Sequence, residues 1–302
     1  MSDAALDAVI AKITGLLAGW DRSTTVPEMR RDNDALYAHD KVPAEVTEVS
    51  AGGVKASWIE AGDAGEPAAR LGRLILYLHG GGFHIGSVAS HFGLIARLSA
   101  AARCRVLALE YRLAPEHRFP APLEDSLAAY DWLLGQGYEP ANIAFAGDSA
   151  GGGLALSTIL ALRDRGSPLP VAAAVMSPWT ELEASGESYV SRAAEDPMFT
   201  RKTVLGLASS YLDGATDPRD PRAAPLYGEL AGLPPLMIQS GERDILLDDS
   251  RRFAEKATAA GVDVTLDLWP GMIHVFQLFG ADLPQAREAI VKLGTYLEAK
   301  LA

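Results

Sequence analysis

The sequence predicts an α/β fold whose core is a mostly parallel sheet with helices on both faces. Six short, continuously apolar runs recur along the chain, as expected of strands buried on both sides: 73–78, 105–110, 142–146, 171–176, 235–240 and 262–268. Segments with helical spacing of apolar residues separate most of these runs: 91–102, 121–134, 150–165, 248–260 and 284–300. Such alternation is typical of one parallel sheet between two helical layers.

Three further segments complete the expected order of elements. A helix is predicted over 3–17, and a hairpin over 46–60 turns at the AGG of 51–53, which brings the expected sheet to eight strands. Residues 180–230 carry no strand pattern and are broken by the prolines of EDP, TDPRDP and AAP. We therefore expect an inserted segment above the strand ends.

Composition and charge exclude several classes of function. The chain has 302 residues, 48% of them hydrophobic, and a formal net charge of −12, which opposes binding to nucleic acid or to an anionic membrane. The N-terminus is acidic where a secretory signal needs basic residues, and no apolar stretch approaches about 18 residues, so a cytoplasmic location is expected. The single cysteine, Cys104, allows neither an internal disulfide nor a cysteine-based zinc site, and we expect it to be a core residue.

The segment Gly147-Asp-Ser149-Ala-Gly151 follows a predicted strand and opens a predicted helix. It matches the G-x-S-x-G turn, which presents a serine on strained backbone and requires residues without side chains two positions before and after it. The positive end of the helix dipole then lies beside the serine, where it can stabilise developing negative charge. The pattern alone also fits a glycine-rich helix that merely packs closely on a strand. The flanking strand and helix favour the nucleophile, with Ser149 in that role.

A serine nucleophile needs a base, and His274 is the only histidine that follows Ser149 in the sequence. In proteins with this turn, the three catalytic residues follow one another along the chain in the order serine, acid, histidine. The acid is expected after the penultimate strand, where four candidates stand: Glu242, Asp244, Asp248 and Asp249. Because Glu242 adjoins the strand end and the last two resemble helix-cap residues, Asp244 is the predicted partner of His274.

Three adjacent glycines follow the apolar run at 73–78, in the HGGG of 79–82. Attack of a serine on an acyl carbon creates an oxyanion, for which unobstructed backbone N–H groups are strong partners. A loop of this sequence supplies them in lipases and esterases, together with the residue after the nucleophile. The predicted oxyanion hole is Gly81, Gly82 and Ala150, and His79 is expected to fix the loop. Spacing excludes a phosphate loop, because Ile85 stands where the last glycine is needed.

Together these motifs resemble those of the bacterial hormone-sensitive lipase-type carboxylesterases, in the branch marked by GDSAG. The resemblance rests on HGGGF, YRLAPEHRFPAPLED, GDSAGG, the aspartate of GERD and H274-V-F, within 74–276. It implies an α/β-hydrolase fold with a helical cap, hydrolysis of short-chain acyl esters without a cofactor, a homodimer, and a triad of Ser149, Asp244 and His274. The family usually continues the acid motif as DPLRD, whereas this chain has DILLD from Asp244.

The cap implied by this resemblance divides the chain into four parts. Residues 1–45 and 180–230 would form the cap, and 46–179 and 231–302 the two parts of the core. The charged, proline-flanked loop at 111–120 is expected to be scaffold. Candidates for lining a substrate pocket lie near the HGGG loop, after the sixth strand and in the insert: Phe83, His84, Trp179, Met198, Phe199, Leu205, Leu207 and Tyr211. The alternative for each is an ordinary place in the core of the cap.

Other functions are compatible with parts of this pattern. The same triad could hydrolyse amides, lactones or carbamates. Plant gibberellin receptors resemble this fold and bind a ligand under the cap after loss of the histidine, whereas here serine, aspartate and histidine are all present. A non-catalytic homologue would have damaged elbow glycines, and both glycines are intact. The expected partner is therefore a small-molecule ester.

Overall fold

An eight-stranded sheet forms the centre of the molecule in the computed structural model, which describes residues 4–62 and 72–301. The order of strands in the sheet is β1-β2-β4-β3-β5-β6-β7-β8. β2 runs antiparallel to both of its neighbours, and every other pair is parallel. The predicted mostly parallel, eight-stranded sheet is thereby confirmed. The strands are β1 (Ala44–Ala51), β2 (Val54–Ala61), β3 (Leu74–Leu78), β4 (Arg105–Leu109), β5 (Ile143–Asp148), β6 (Ala172–Met176), β7 (Leu236–Gly241) and β8 (Val264–Trp269).

Helices cover both faces of this sheet. Within the described residues they are α1 (Ala4–Ala18), α2 (Val26–Tyr37), α3 (Val88–Ala102), α4 (Ala121–Gly135), α5 (Ser149–Asp164), α6 (Ser188–Ser191), α7 (Arg201–Tyr211), α8 (Leu247–Ala259) and α9 (Pro284–Lys300). Side chains of α3 and α9 share one core with the sheet, and those of α4, α5 and α8 share the other. None of the helices in this described part is long and apolar enough to cross a membrane.

The continuous apolar runs follow from burial of the sheet on both faces. Along β3, Leu74, Leu76 and Leu78 belong to the core with α4 and α5, whereas Ile75 and Tyr77 belong to the core with α3 and α9. All five side chains are fully buried. Because successive residues of a strand point to opposite faces, each residue of a doubly covered strand has to be apolar.

Two helix starts differ from the sequence expectation, and side-chain caps explain both. α3 begins at Val88 rather than at residue 91, because the Ser87 hydroxyl accepts a hydrogen bond from the Ser90 amide (3.0 Å). α2 has no counterpart among the predicted elements. It begins after a capping box in which the Thr25 amide donates to the Glu28 carboxylate (2.8 Å). The sequence Thr25-Val-Pro-Glu28 carries that signature.

Arg30 attaches α2 to two loops of the hydrolase core. Its Nε donates to the carbonyl of His84 (2.8 Å), and its Nη2 donates to the carbonyl of Ala114 (3.0 Å). The two Nη atoms also bind the two oxygens of the Glu116 carboxylate, at 2.9 and 2.8 Å. The charged loop at 111–120 therefore joins α2 to the loop that follows β3, which agrees with its expected scaffold role.

Replacement of this arginine provides a test of the attachment. Arg30→Ala should lower the free energy of unfolding by about 2 kcal/mol, because two carbonyls and a carboxylate lose a charged donor. The measurement is urea-induced unfolding of the purified chain. Arg31→Ala is the matched control, since Arg31 is the exposed next residue of α2 and should change the free energy by less than about 0.5 kcal/mol. Equal effects of the two substitutions would contradict the attachment.

Candidate active site

The turn from β5 into α5 holds Ser149 in strained backbone. Its φ is 50°, in the left-handed region, which costs a residue with a side chain on the order of 1–3 kcal/mol. A Cβ on Gly147 would lie 2.6 Å from the carbonyl oxygen of Gly151, and a Cβ on Gly151 would lie 2.1 Å from that of Leu78. Both glycines of the motif are therefore required by the close approach of backbone.

Three side chains that are far apart in sequence meet at this turn. His274 Nε2 lies 2.9 Å from Ser149 Oγ, and His274 Nδ1 lies 2.9 Å from Asp244 Oδ2. Asp244 is fully buried, and its Oδ1 accepts a hydrogen bond from the Leu246 amide (2.8 Å). With Nδ1–H donated to the carboxylate, Nε2 is left to accept the hydroxyl proton. The arrangement is capable of general-base activation of a serine.

Two of the other acids that follow β7, Asp248 and Asp249, make structural contacts instead. The Asp248 carboxylate accepts a hydrogen bond from the Ser188 amide (2.9 Å). The Asp249 carboxylate accepts bonds from the amides of Thr180 (2.8 Å) and Glu181 (3.1 Å). Both side chains thus attach the start of α8 to the segment after β6. Asp244 is the acid of this group that hydrogen-bonds the imidazole of His274.

A second carboxyl group, that of Asp196, lies close to this triad. Its Oδ1 accepts hydrogen bonds from the amides of Met198 (2.7 Å) and Phe199 (3.0 Å), and its Oδ2 accepts one from the amide of Ile245 (2.8 Å). The Asp196 carboxyl therefore joins the insert to the residue that follows Asp244. Asp196 was not predicted from the sequence, where the tripeptide EDP indicates only a break in the strand pattern.

Charge around His274 changes its proton affinity in a definite direction. Burial lowers the pKa of His274, but the charge and hydrogen bond of Asp244 outweigh burial and raise the pKa above its ordinary value, with a further contribution from Asp196. Burial, followed by the charge of Asp244, raises the pKa of Asp196 as well. The imidazolium form is thus favoured by two neighbouring carboxyl groups.

The HGGG loop presents backbone amides beside Ser149. Gly81 has a φ of 115°, and a Cβ there would lie 2.1 Å from the carbonyl oxygen of Ile85, so only glycine fits. Among the hydrogen bonds of the described residues, none is donated by the amides of Gly81 and Gly82. Ala150 lies in the first turn of α5, where amides have no intrahelical acceptor. The three predicted donors are therefore available to a ligand.

A buried ion pair fixes this loop to the elbow. Asp148, the residue before Ser149, accepts hydrogen bonds from the Tyr77 hydroxyl (2.6 Å) and the Gly80 amide (3.0 Å), and its other oxygen lies 3.2 Å from His91 Nε2. Burial raises the pKa of Asp148, but His91 outweighs it and holds the pKa below its usual value. Burial lowers the pKa of His91, but the charge and hydrogen bond of Asp148 outweigh burial and raise it above its ordinary value.

His79 has a place in the loop rather than in the chemistry. Its ring stacks on Tyr111 with centroids 4.4 Å apart, and its Nδ1 lies 2.8 Å from the carbonyl oxygen of Gly80. Burial lowers the pKa of His79 to about 3, so the ring is neutral at ordinary pH. These contacts agree with the expectation that His79 fixes the loop.

Two apolar spaces border Ser149. The larger has a volume of about 380 Å³ and lies between the N-terminal helices, α7 and the loop after β8. Its walls include Leu17, Trp20, Val26, Met29, Asn33, Tyr37, Gly81, His84, Ile85, Met198, Phe199, Leu207, His274 and Leu278. The smaller has a volume of about 10 Å³ and is bounded by Gly82, Ser149, Trp179, Phe199, Val204, Leu207 and Leu246.

Five of the candidate pocket residues lie on these walls: His84, Trp179, Met198, Phe199 and Leu207. Phe83 and Tyr211 do not lie on them. Their rings stack on each other with centroids 3.8 Å apart, and both side chains are buried in the core. Leu205 also lies away from them, since it is on the outer side of α7 and 36% exposed.

Residues of α1 and α2, which were not predicted from the sequence as pocket residues, complete the larger space. Val26, Met29 and Tyr37 come from one side of α2, and Leu17 and Trp20 come from the end of α1 and the residues after it. The capping box before α2 was a visible signal for that helix. No local pattern indicated which side of it would face Ser149.

Comparison with known proteins agrees with this fold and site. The family model described as alpha/beta hydrolase fold matches residues 75–278. An acetyl-hydrolase of Streptomyces hygroscopicus is 45% identical over 249 residues, which cover 82% of this chain and 81% of that protein. An esterase of Acinetobacter venetianus is 37% identical over 224 residues, or 74% of each chain. The crystal structure of an esterase from the bacterial hormone-sensitive lipase family superposes with a TM-score of 0.94 at 42% identity, over 100% of both chains.

Fold and site define an α/β-hydrolase with a serine at the nucleophile elbow. The chain belongs to the alpha/beta-hydrolase family, and within it to the bacterial hormone-sensitive lipase-type carboxylesterases.

Removal of the Asp196 charge tests the electrostatics of the site. Asp196→Asn should lower the pKa of His274, because a negative charge that favours the imidazolium is lost. The measurement is an NMR titration of the His274 ring protons. Glu195→Gln removes the adjacent charge, which pairs with Arg192 in a partly exposed position, and should leave the pKa of His274 unchanged. An unchanged or raised pKa in Asp196→Asn would contradict the interpretation.

Proposed function

We propose that the chain hydrolyses short-chain acyl esters through an acyl-enzyme intermediate, with Ser149 as nucleophile, His274 as general base and acid, and Asp244 as the residue that orients it. The single observation that carries this proposal is the hydrogen-bonded series Ser149–His274–Asp244, with both separations at 2.9 Å, at a strained strand–helix turn. The names of its relatives, acetyl-hydrolase and esterase, support the same activity.

In the first step His274 Nε2 removes the proton of Ser149 Oγ as the oxygen attacks the ester carbonyl carbon. The Oγ–C bond forms, and the carbonyl π electrons move to the oxygen, which becomes the oxyanion. The amides of Gly81, Gly82 and Ala150 are the proposed donors to that oxygen. When the oxyanion collapses, the bond to the alcohol breaks, and the imidazolium gives its proton to the leaving oxygen.

In the second step water replaces the alcohol. The neutral imidazole of His274 takes a proton from water, whose oxygen attacks the acyl carbon in the same oxyanion hole. Collapse of this intermediate breaks the C–Oγ bond, returns the proton to Ser149 and releases the carboxylic acid. The Asp244 carboxylate accepts the hydrogen bond of Nδ1 and stabilises the imidazolium in both steps. No further group is required for the balance of atoms and protons.

We further propose that residues 1–45 and 180–230 act as the cap and that 46–179 and 231–302 form the core. This division is supported by the walls of the larger space, since α1 and α2 provide one side and Met198, Phe199 and Leu207 provide another. Side chains of α1 also pack against the loop after β8, where Leu6, Val9 and Ile13 share a cluster with Ile273 and Phe276. Such packing would hold the cap close to His274.

Substitution of the nucleophile tests the mechanism. Ser149→Ala should reduce hydrolysis of p-nitrophenyl acetate by about 10⁴-fold or more, because the acyl-enzyme can no longer form. Release of p-nitrophenol is followed by absorbance, and mass spectrometry of the wild-type chain quenched during turnover should show one added acetyl group.

Ser157→Ala is the matched control for that experiment. Ser157 is a buried serine of the same helix α5, and its hydroxyl makes no hydrogen bond among the described residues. Its replacement should leave turnover within about twofold, since about 0.4 kcal/mol separates rates by that factor. Retention of activity in Ser149→Ala would refute the serine mechanism.

We also propose that two copies of the chain pair through β8. This strand lies at the end of the sheet order, pairs with β7 alone within the described residues, and exposes Thr265 and Leu266. An open strand edge with an exposed leucine favours pairing with a second edge. The other edge strand, β1, ends the sheet on the opposite side and exposes Val46.

Light scattering coupled to gel filtration tests this pairing. The wild-type chain should have the mass of two chains, and Leu266→Lys should shift it to one, because lysine on an edge strand opposes strand pairing. Val46→Lys introduces the same charge on β1 and should leave the dimer intact. A monomeric wild-type chain, or dissociation caused by Val46→Lys alone, would contradict pairing through β8.

A further inference from the structure

The two spaces beside Ser149 are very unequal, at about 380 and about 10 Å³. Ser149, Phe199 and Leu207 border both of them, so the reacting carbon would lie at their junction. A tetrahedral intermediate carries four groups: Oγ, the oxyanion, the leaving alcohol and the acyl chain. With Oγ fixed and the oxyanion directed at the loop amides, the alcohol and the acyl chain remain to be divided between the two spaces.

The position of His274 decides which space takes which group. The imidazole has to give its proton to the oxygen of the leaving alcohol, so the alcohol lies on the side of His274. His274 and the following Val275 line the larger space and are absent from the walls of the smaller one. The alcohol therefore extends into the larger space, and the acyl chain is directed into the smaller one.

The smaller space has room for about one water-sized sphere, since such a sphere occupies roughly 10–15 Å³ and the space measures about 10 Å³. Two of its walls, Trp179 and Val204, are held in place by the surrounding structure. Trp179 is 3% exposed, its amide donates to the carbonyl of Ser149 (2.9 Å), and its ring packs against Phe83. Val204 is buried and β-branched, so its rotamer is restricted. Longer acyl chains would have to displace packed side chains.

The larger space is apolar and carries little charge. Leucine, isoleucine, valine, methionine, phenylalanine, tyrosine and tryptophan side chains form just over half of its walls, and none of the described residues that line it is lysine, arginine or glutamate. Its one carboxyl group, that of Asp148, is bonded to Tyr77, Gly80 and His91. A volume of this size is typical of sites for small organic ligands. The alcohol that fits is bulky, uncharged and mostly apolar.

We propose that this chain is an acetyl esterase that acts on acetates of bulky, uncharged, apolar alcohols. Trp179, Val204 and Leu207 limit the acyl group to acetyl, and the space lined by α1, α2 and Met198 receives the alcohol. This inference rests on the proposed esterase function, and it adds which part of the ester is restricted in size.

Two substrate series test the two halves of the inference. With p-nitrophenol as the fixed leaving group, kcat/KM should fall at least about tenfold from acetate to butanoate, as expected when added methylenes do not fit. With acetate as the fixed acyl group, kcat/KM should rise from methyl acetate to 2-phenylethyl and menthyl acetates, whose alcohols fill the larger space.

Substitutions that line a single space should alter one series only. Val204→Ala enlarges the smaller space and should raise the ratio of butanoate to acetate turnover at least about fivefold, by relief of part of that misfit. Leu207→Ala opens a wall that the two spaces share and should therefore alter both series. Leu205→Ala removes the same atoms from the exposed side of α7 and should leave both series unchanged. Met29→Trp, in the larger space, should reduce turnover of menthyl acetate more than that of methyl acetate.

The possible outcomes distinguish failure of the acetyl limit from failure of the esterase function. If the wild-type chain hydrolyses no ester in either series, the esterase function itself fails. If it hydrolyses hexanoate as fast as acetate, the esterase function stands and the acetyl limit is overturned. If Met29→Trp alters the acyl series while Val204→Ala alters the alcohol series, the two spaces have the opposite roles.

Discussion

The structure depends on a single tight reversal of the backbone, in which β5 ends at Asp148 and α5 begins at Ser149. Ser149 has a φ of 50°, which belongs to neither a regular strand nor a regular right-handed helix. In this turn the helix lies so close to the end of β3 that no side chain fits at position 147 or 151. Glycine at both positions therefore makes the reversal possible. This close approach places the Ser149 hydroxyl within reach of His274. A larger residue at either glycine would separate strand from helix, and the hydroxyl would lose its base.

The same approach explains why the oxyanion loop is fixed to the elbow by charge. The Asp148 carboxylate lies against the HGGG loop, since a Cβ on Gly80 would be only 2.1 Å from its Oδ2. A carboxylate buried at this depth is costly unless it is fully hydrogen-bonded and paired. Tyr77, the Gly80 amide and His91 meet that requirement. As a consequence, movement of the loop away from Ser149 would remove the Gly80 amide, one of the three partners of this buried charge, and that loss opposes separation of the loop from the nucleophile.

Prediction from the sequence reached the residues that meet at this turn where the constraint is local or follows from strand order. The elbow is a turn of five residues, and the positions of Asp244 and His274 follow from where two strands end on one edge of a parallel sheet. It failed where contacts join segments without a shared pattern. Phe83 and Tyr211 stack across 128 positions of sequence, which no periodicity predicts. The three backbone bonds of Asp196 depend on how the insert returns to the loop after β7, and a single acid before a proline does not encode that path.

Both proposed cap segments are attached to catalytic loops by a charged side chain that binds backbone. Arg30 of α2 donates to the carbonyl of His84, two residues beyond Gly82, and Asp196 of the insert accepts from the amide of Ile245, next to Asp244. Backbone partners cannot rotate away as side chains do, so each attachment constrains the path of a catalytic loop itself. The Phe199 amide donates to the Asp196 carboxylate. The Phe199 ring in turn packs edge-on against the His274 ring, with centroids 5.1 Å apart. The elements that define the size of the substrate space therefore also position the groups that perform the chemistry, and a change in cap sequence should alter turnover as well as substrate choice.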